Sequence, residues 1–407
     1  MRLSRTIKKR DIQMDRTIDN IVRDILDDVR QNGDAAVQKY NEKFSAKAAI
    51  PPSAVVTADI MRILKRAKAQ IEAYHKRQLT EPWEMRGKSN VILGQIVRPI
   101  QRVAVYVPGG TAAYPSSVLM NVIPAKLAGV PEIAIFTPYA DNIVKAAADV
   151  CGVENIYQIG GAQAIAAAAY GTQSIPKFDK IVGPGNIYVA TAKRMVYGEV
   201  DIDMFAGPSE VLIIADESAN PKYIAADMLS QAEHDELACS ILVTTSERII
   251  KETELEIERQ IEGLSRIDII EKSLENHGAA ILVDSLDKAF EIANDIAPEH
   301  LEILTNNPLE MLPKVKNAGS IFLGEYTPEP LGDYMSGTNH VLPTGGTAKF
   351  YSPLGVQDFV KFSSYSYYPR EALAEFKEDV MTFARLEGLD AHANSIGVRF
   401  EGGLESK

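Results

Sequence analysis

Residues 103–110 read Val103-Ala104-Val105-Tyr106-Val107-Pro108-Gly109-Gly110, an apolar run that passes directly into a glycine turn. A short apolar run bounded by turn residues is typical of a strand buried on both faces, and such strands occur in parallel sheets. Similar runs follow, with helical patterns such as 119–128 and 187–196 between them; these runs are 132–136, 180–182, 211–215, 240–243 and 280–283. Strands that alternate with helices predict parallel sheets with crossover helices. Because there are more runs than one small sheet needs, we expect two α/β domains.

The residues before this run are helical in pattern. Apolar residues recur at helical spacing across 19–44, where Gly33-Asp34 predicts a break between two helices. A second long helical stretch covers 58–78. We therefore expect a helical N-terminal segment.

Composition excludes several classes of protein. The 407 residues carry a formal net charge of -12, which argues against nucleic acid as a partner because phosphate binding needs clustered Lys and Arg. No apolar stretch is long enough to span a bilayer, so we expect no membrane partner. Two cysteines, Cys151 and Cys239, are too few for a disulfide framework. Asp11 and Asp15 interrupt the region where a signal peptide would be apolar. These features predict a cytoplasmic protein.

Glycine loops lie beside the strand candidates, at 108–110, 160–163, 183–186 and 206–210. In open α/β sheets, ligands bind at the carboxyl ends of strands, where glycines let the backbone approach closely. The dinucleotide fingerprint G-x-G-x-x-G is absent, since Tyr188 stands where its third glycine would follow Gly183 and Gly185. Any one of these loops is more often an ordinary turn. By themselves they do not identify a nucleotide.

Four of the six histidines lie in short segments that also carry a carboxylate or an amide, at 230–235, 297–302, 332–340 and 387–392. Imidazole with oxygen donors is what zinc binds, and it also makes a general acid–base pair. This repetition indicates a catalytic centre, most simply one with a metal. The other two histidines, at 75 and 277, are assigned no role.

Each histidine segment has two interpretations. Asn220-Pro221 predicts the start of a helix to about Ala238, which would place Gln231 and His234 on one face. An exposed polar turn explains the charged run 233–236 as well, and that segment alone favours it.

Glu299-His300 is an acid–base pair or a solvated loop, with equal support. Residues 332–340 predict a polar loop. In this loop, Asp333 is a candidate metal ligand, and His340 is a candidate second ligand or substrate contact. His392 either belongs to the catalytic centre or caps the helix predicted at 371–386.

Together these segments resemble the histidinol dehydrogenase family, zinc- and NAD-dependent enzymes of the last steps of histidine biosynthesis. The resemblance runs from Asp28 to His392. Its most specific stretches are 106–110, 160–164, 183–186, 206–210, 230–234, 298–301 and 332–344. It implies a four-electron oxidation of L-histidinol to L-histidine through histidinaldehyde. Related dehydrogenases of other alcohols, such as sulfonated diols, share the zinc framework, and a zinc hydrolase or an inactive metal-binding scaffold are further alternatives.

Position by position, the resemblance implies the following site residues. One zinc ion per subunit is bound by Gln231, His234, Asp333 and His392. Glu299 and His300 are the catalytic pair. Histidinol contacts Ser209, Gln231, His234, His300, Asp333, His340, Glu387 and His392. NAD contacts Tyr106, Gln163 and Asn186.

The implied fold has two Rossmann-like parallel-sheet domains, a helical N-terminal segment and an extended helical C-terminal tail. Residues 1–104 and 211–355 would form the first α/β domain, which holds the zinc and catalytic loops. Residues 105–210 would form the second, which contacts NAD. Residues 356–407 would form the tail, exchanged between the subunits of a homodimer.

Overall fold

The computed structural model describes residues 2–7, 16–45, 55–109, 114–205 and 207–401. Gly110 and Ala206 of the glycine loops, and Asp11 and Asp15 of the N-terminal region, lie outside the described residues. The strands are β1 (Trp83–Arg86), β2 (Ile92–Pro99), β3 (Arg102–Tyr106), β4 (Glu132–Phe136), β5 (Asn155–Tyr157), β6 (Lys180–Val182), β7 (Asp201–Ile202), β8 (Glu210–Ala215), β9 (Cys239–Thr244), β10 (Ala279–Leu282), β11 (His300–Leu304), β12 (Ser320–Leu323) and β13 (Val360–Tyr367). The helices are α1 (Arg16–Asn32), α2 (Asp34–Ser45), α3 (Ala58–His75), α4 (Pro115–Leu127), α5 (Asn142–Cys151), α6 (Gly161–Tyr170), α7 (Ile187–Val196), α8 (Pro221–Ala232), α9 (Glu247–Ile261), α10 (Ile267–His277), α11 (Leu286–Ile296), α12 (Pro308–Met311), α13 (Glu329–Tyr334), α14 (Arg370–Leu386) and α15 (Asp390–Gly397).

Two five-stranded parallel sheets confirm the predicted fold class. Their orders are β5-β4-β3-β6-β7, hereafter the first sheet, and β10-β9-β8-β11-β12, hereafter the second sheet. All neighbouring strands within each sheet are parallel. Numbered along the chain, both orders are 3-2-1-4-5, which is the order of a doubly wound dinucleotide-binding sheet. All six predicted strands are present, with bounds that differ by at most one residue at either end.

Alternate residues of β3 face two different helix layers, as the two-residue repeat of a strand requires. Val103 and Val105 pack with residues of α3, α4 and α5. Ala104 and Tyr106 pack with residues of α1, α6 and α7. The helices α1 to α3 therefore cover the sheet of residues 102–202. The limits of the two predicted α/β domains remain a prediction.

The second sheet is built in the same way. Val211 and Ile213 of β8 face α8, α9 and α10, whereas Leu212 and Ile214 face α11. Because both faces of β8 are covered, all six of its residues are buried. This is why the strand reads as a continuous apolar run rather than as an alternating pattern.

Residues 80–98 and 360–401 belong to a second compact unit, distinct from the unit that contains both parallel sheets. It holds a three-stranded sheet of order β1-β2-β13, in which β1 and β2 are antiparallel, and the helix pair α14 and α15. The tail is therefore not entirely helical, because Phe362, Tyr365 and Tyr367 belong to β13, where aromatic residues favour a strand. In the part of the chain that the structure describes, no helix combines the length and the apolar character needed to cross a membrane.

Candidate active site

Glu299 and His300 stand where β11 begins, in the interior of the second sheet. The first residues of β8 and β12, Glu210 and Ser320, flank them. Both side chains of the pair are buried, so the solvated-loop interpretation of this segment is wrong. These residues lie at the amino ends of the strands, whereas the sequence led us to expect ligands at the carboxyl ends.

The hydrogen bonds of the pair fix the tautomer of His300. Its Nδ1 lies 3.1 Å from the backbone oxygen of Glu210. A carbonyl oxygen can only accept, so Nδ1 carries the proton and Nε2 has the lone pair. The Glu299 carboxylate accepts a 3.0 Å hydrogen bond from the backbone N–H of Glu210. One backbone segment therefore holds both members of the pair.

Burial lowers the pKa of His300 to about 4, although the negative charge of Asp333 acts in the opposite direction. A histidine with this pKa is neutral near neutral pH, with Nε2 able to accept a proton. Nε2 lies 3.8 Å from the Glu329 carboxyl. The geometry therefore suits a general base.

Gln231 lies in the last turn of α8, and His234 lies two residues beyond the helix. The helix stops at Ala232 and does not reach Ala238. The helix ends early because Glu233 to Asp235 have no apolar residue to pack and because Asp235 accepts a hydrogen bond from the backbone of Leu237, which forms a turn. The N–H of His234 still donates to the backbone oxygen of Gln231, at 3.2 Å, so the two residues remain adjacent.

Asp333 lies in the short helix α13 rather than in the predicted loop. His340 follows it, with Nδ1 3.8 Å from Asp333. Ligand atoms of His234, Asp333 and Glu329 all lie within 4.8 Å of one another. Glu329 was not predicted, although its position four residues before Asp333 on a helix places the two carboxyl groups side by side.

The donor set around Gln231 fits a divalent metal such as zinc. The side chain of Gln231 is fully buried, and neither its amide oxygen nor its amide nitrogen has a hydrogen-bond partner among the described residues. A buried amide without partners is costly, and coordination of its oxygen by a metal would satisfy that atom. Imidazole and carboxylate ligands are supplied by His234, Asp333 and Glu329.

Three acids interact with one another in this region: Glu302 and Glu329 are buried, and Asp227 is half-buried. Burial raises the pKa of Glu302 well above its usual range, and the neighbouring Asp227 carboxyl raises it further. Burial also raises the pKa of Asp227 to about 6. For Glu329, burial and then the charge of Asp333 raise the pKa to about 9. Burial therefore disfavours the charged form of each of these acids.

The remaining predicted substrate contacts divide between the two units. Ser209 is half-buried and directly precedes β8. Glu387 and His392 belong to the second unit, where they line a groove of about 440 Å³ between α14 and α15. His392 lies within α15, so the interpretation of it as a cap of the preceding helix is wrong.

The three residues assigned to NAD follow strands of the first sheet. Tyr106 ends β3, and its hydroxyl accepts a 3.0 Å hydrogen bond from the backbone N–H of Gly161. Gln163 lies in the first turn of α6, after β5. Asn186 follows β6 and caps α7, where its side-chain oxygen accepts from Tyr188 and Val189. The strand order reverses between β3 and β6, which is where open α/β sheets bind dinucleotides.

The Gly183 turn after β6 passes very close to β3. Gly183 has φ +109°, and a Cβ placed on it would overlap the backbone oxygen of Tyr106. The buried ion pair of Lys193 and Asp203 holds the turn in place. Lys193 donates to the Gly183 oxygen at 2.9 Å, and Asp203 accepts from the Gly183 N–H at 2.7 Å. Only glycine fits this position.

Comparison with known proteins gives consistent results for sequence and structure. The family model described as histidinol dehydrogenase matches residues 8–400. Histidinol dehydrogenase of Lactococcus lactis subsp. lactis is 58% identical over an alignment of 409 positions. The alignment covers 96% of this chain and 95% of the relative. The enzyme of Clostridium acetobutylicum is 54% identical over an alignment of 411 positions. The alignment covers 97% of this chain and 95% of the relative. The crystal structure of histidinol dehydrogenase from Elizabethkingia anophelis superposes with a TM-score of 0.90 at 36% identity and covers 97% of this chain and 94% of that one.

Proposed function

Since the chain belongs to the histidinol dehydrogenase family, and is thus an oxidoreductase of histidine biosynthesis that oxidises histidinol, we propose that the reaction uses zinc and NAD+. L-Histidinol is oxidised to histidinaldehyde, and the hydrated aldehyde is oxidised to L-histidine. Each oxidation transfers two electrons to one NAD+. The observation that carries this proposal is the buried Glu299–His300 pair, in which the tautomer of His300 leaves Nε2 as a base.

His300 removes the hydroxyl proton in each oxidation. Its neutral form is favoured by burial, and its Nδ1–H is held by the backbone oxygen of Glu210. Bound NAD+ supplies the hydride acceptor. Because Nε2 starts unprotonated at neutral pH, His300 does not need to lose a proton before it acts.

Glu299 prepares the water that adds to the aldehyde. Its carboxylate is fixed by the N–H of Glu210 and lies 3.7 Å from Nδ1 of His300. A carboxylate held in this way can accept a proton from water as the oxygen attacks the carbonyl carbon. The two residues therefore act in sequence on the same carbon atom of the substrate.

Zinc would be held by Gln231, His234, Asp333 and His392, one ion per subunit. The orphaned amide of Gln231 and the cluster of His234 with Asp333 support this assignment. When bound, zinc would hold the amine and imidazole of histidinol and polarise the reacting oxygen. Substrate contacts would come from the metal-binding residues together with Ser209, His300, His340 and Glu387.

NAD+ would bind along the carboxyl end of the first sheet, in contact with Tyr106, Gln163 and Asn186. Two features support this site: the reversal of strand order between β3 and β6, and the unpartnered amide oxygen of Gln163. Asn186 is exposed, and its amide oxygen is already used as a helix cap. Its amide N–H groups therefore face outward from a fixed side chain.

The protein would act as a cytoplasmic homodimer whose C-terminal tail, residues 356–407, completes the site of the other subunit. In the second unit, α14 exposes large apolar side chains, including 67% of Phe383 and 81% of Leu386. Exposed apolar surface of this kind is typical of a subunit interface. The exchange would bring Glu387 and His392 from one subunit to the metal-binding residues of the other.

The test is incubation of the purified protein with L-histidinol and NAD+ while absorbance of NADH is followed. About two NADH per histidinol are expected from the two two-electron steps. A chelator should abolish the reaction, and zinc should restore it. NADH from a sulfonated diol but not from histidinol would refute the substrate. Hydrolysis without any use of NAD+ would indicate a zinc hydrolase instead.

A further inference from the structure

The amide of Gln163 is bonded at one end only. The side chain is 2% exposed, and its Nε2 donates a 3.1 Å hydrogen bond to Oδ1 of Asn41 in α2. Its Oε1 is buried and has no hydrogen-bond partner in the described part of the chain. Buried polar atoms are almost always hydrogen-bonded, so this oxygen is open to a donor that the described residues do not supply.

The orientation of Gln163 follows from a fixed point on the backbone. Asn41 Nδ2 donates to the backbone oxygen of Gln158, at 3.3 Å. A carbonyl oxygen can only accept, so the amide of Asn41 must turn its nitrogen toward Gln158 and its oxygen toward Gln163. Gln163 must then present its own nitrogen to Asn41. Its oxygen is therefore the atom left for a ligand.

The backbone next to this oxygen leaves little space for a side chain. A Cβ on Gly161 would lie 2.8 Å from Oε1 of Gln163, and Gly161 has φ +65°. The N–H of Gly161 is bound by the hydroxyl of Tyr106, at 3.0 Å. Oε1 of Gln163 is thus next to a glycine turn that Tyr106 holds in place.

We propose that Asn41 is a positioning residue for dinucleotide binding: it holds Gln163 so that Oε1 accepts a hydrogen bond from a hydroxyl or amino group of the dinucleotide. This inference rests on the proposed contact of Gln163 with NAD+. If Asn41 did not fix the amide, Gln163 could turn its N–H groups toward those same donors, and the hydrogen bond would be lost. Asn41 itself does not contact the dinucleotide and acts only through its hydrogen bond with Gln163.

The experiment compares Asn41→Leu, Gln163→Ala and the double variant with the native enzyme. The Kd of NADH is measured by fluorescence titration, and the KM values for NAD+ and histidinol by steady-state kinetics. Asn41→Leu should weaken NADH binding about five- to tenfold, which is the size of one lost hydrogen bond. The KM for histidinol and the bound zinc should change less than about twofold. Gln38→Leu, on an exposed turn of the same helix, is the matched control and should leave both constants unchanged.

The double variant separates positioning from a general effect on the fold. Asn41→Leu should weaken binding no further once Gln163 is alanine, because Asn41 acts through that side chain. An equal additional loss in the Gln163→Ala background would overturn the proposal, and so would native NADH affinity in Asn41→Leu. If Gln163→Ala itself binds NADH normally, the proposed NAD+ contact is wrong and this inference fails with it.

Asn41→Asp provides a second test that preserves an acceptor for Nε2 of Gln163. Aspartate loses the donor to the Gln158 oxygen but still accepts from Nε2 of Gln163, so this variant should bind NADH more tightly than Asn41→Leu does. A loss as large as that of Gln163→Ala would overturn the proposal.

Discussion

The side chain of Glu302 accepts a 2.9 Å hydrogen bond from the backbone N–H of Glu329. Glu302 lies in β11, two residues after His300, and Glu329 opens α13, the helix that carries Asp333. The bond satisfies an N–H at the start of the helix that has no partner within it. It therefore ties the strand of the proposed catalytic base to the helix of a proposed zinc ligand.

Glu302→Gln should leave zinc binding and activity close to native, whereas Glu302→Leu should reduce zinc affinity about tenfold or more. Burial disfavours the charged form of Glu302, and glutamine keeps an acceptor for the N–H of Glu329 without carrying a charge. Leucine removes this acceptor, and the loss of groups that orient metal ligands typically costs ten- to a hundredfold in affinity. Competition with a chelator measures the affinity. Equal affinities in the two variants would contradict this role for Glu302.

Gly183→Ala should destabilise the protein by roughly 2–4 kcal/mol, because the new Cβ would meet the backbone oxygen of Tyr106 at a position of positive φ. Gly198 provides the matched control, since it has φ +104° and a Cβ added there would have nothing within 4 Å. Gly198→Ala should cost only the backbone strain, about 1–2 kcal/mol. Urea unfolding of both variants gives the difference. NADH affinity should fall in Gly183→Ala alone, and equal losses of stability would show that the close contact has no effect.

His300→Ala should lower the rates of both oxidations by about 10²- to 10⁴-fold, because each needs the same base. Glu299→Gln should slow the second oxidation more than the first, because only the second requires added water. Single-turnover experiments that start from histidinol and from histidinaldehyde measure the two steps separately. If Glu299→Gln slowed both steps equally, the proposed division of work between the two residues would be wrong.

His75→Gln should make stability less dependent on pH below about 6.5, the ordinary pKa of histidine. His75 is fully buried at the end of α3, and burial lowers its pKa. The unfolded chain therefore takes up a proton that the folded chain does not, so the native protein loses stability as pH falls below that value. The slope due to one such group is at most about 1.4 kcal/mol per pH unit. Urea unfolding between pH 7.5 and 5.5 compares the slopes, and an unchanged slope in the variant would exclude His75 as a contributor.

The buried strands were predictable because they are covered on both faces. β4 and β8 read as unbroken apolar runs, which is the pattern that burial between two helix layers requires. β1 lacked that signal, since all four of its residues are exposed. The end of α8 was misjudged because Glu233 and Glu236 have good helix propensity, and the sequence did not show that Asp235 forms a turn.

The sequence identified the types of residue in the site better than it identified the contacts that they make. Glu299 and His300 were found because an adjacent carboxylate and imidazole are an informative pair, and their burial and tautomer became known only from the structure. Glu329 was missed because nothing in Pro328-Glu329 suggests a buried carboxyl. Asn41 could not be found, since its partner Gln163 is 122 residues further along the chain.

The two parallel sheets repeat one strand order, and the two proposed sites lie at opposite ends of it. The residues proposed to contact the dinucleotide follow the carboxyl ends of strands in the first sheet, and the proposed catalytic pair stands at the amino end of β11 in the second. A mutation of a proposed dinucleotide contact thus falls on the first sheet, whereas a mutation of Glu299 or His300 falls on the second. The residues around one proposed site can therefore change while the strands that hold the other stay the same.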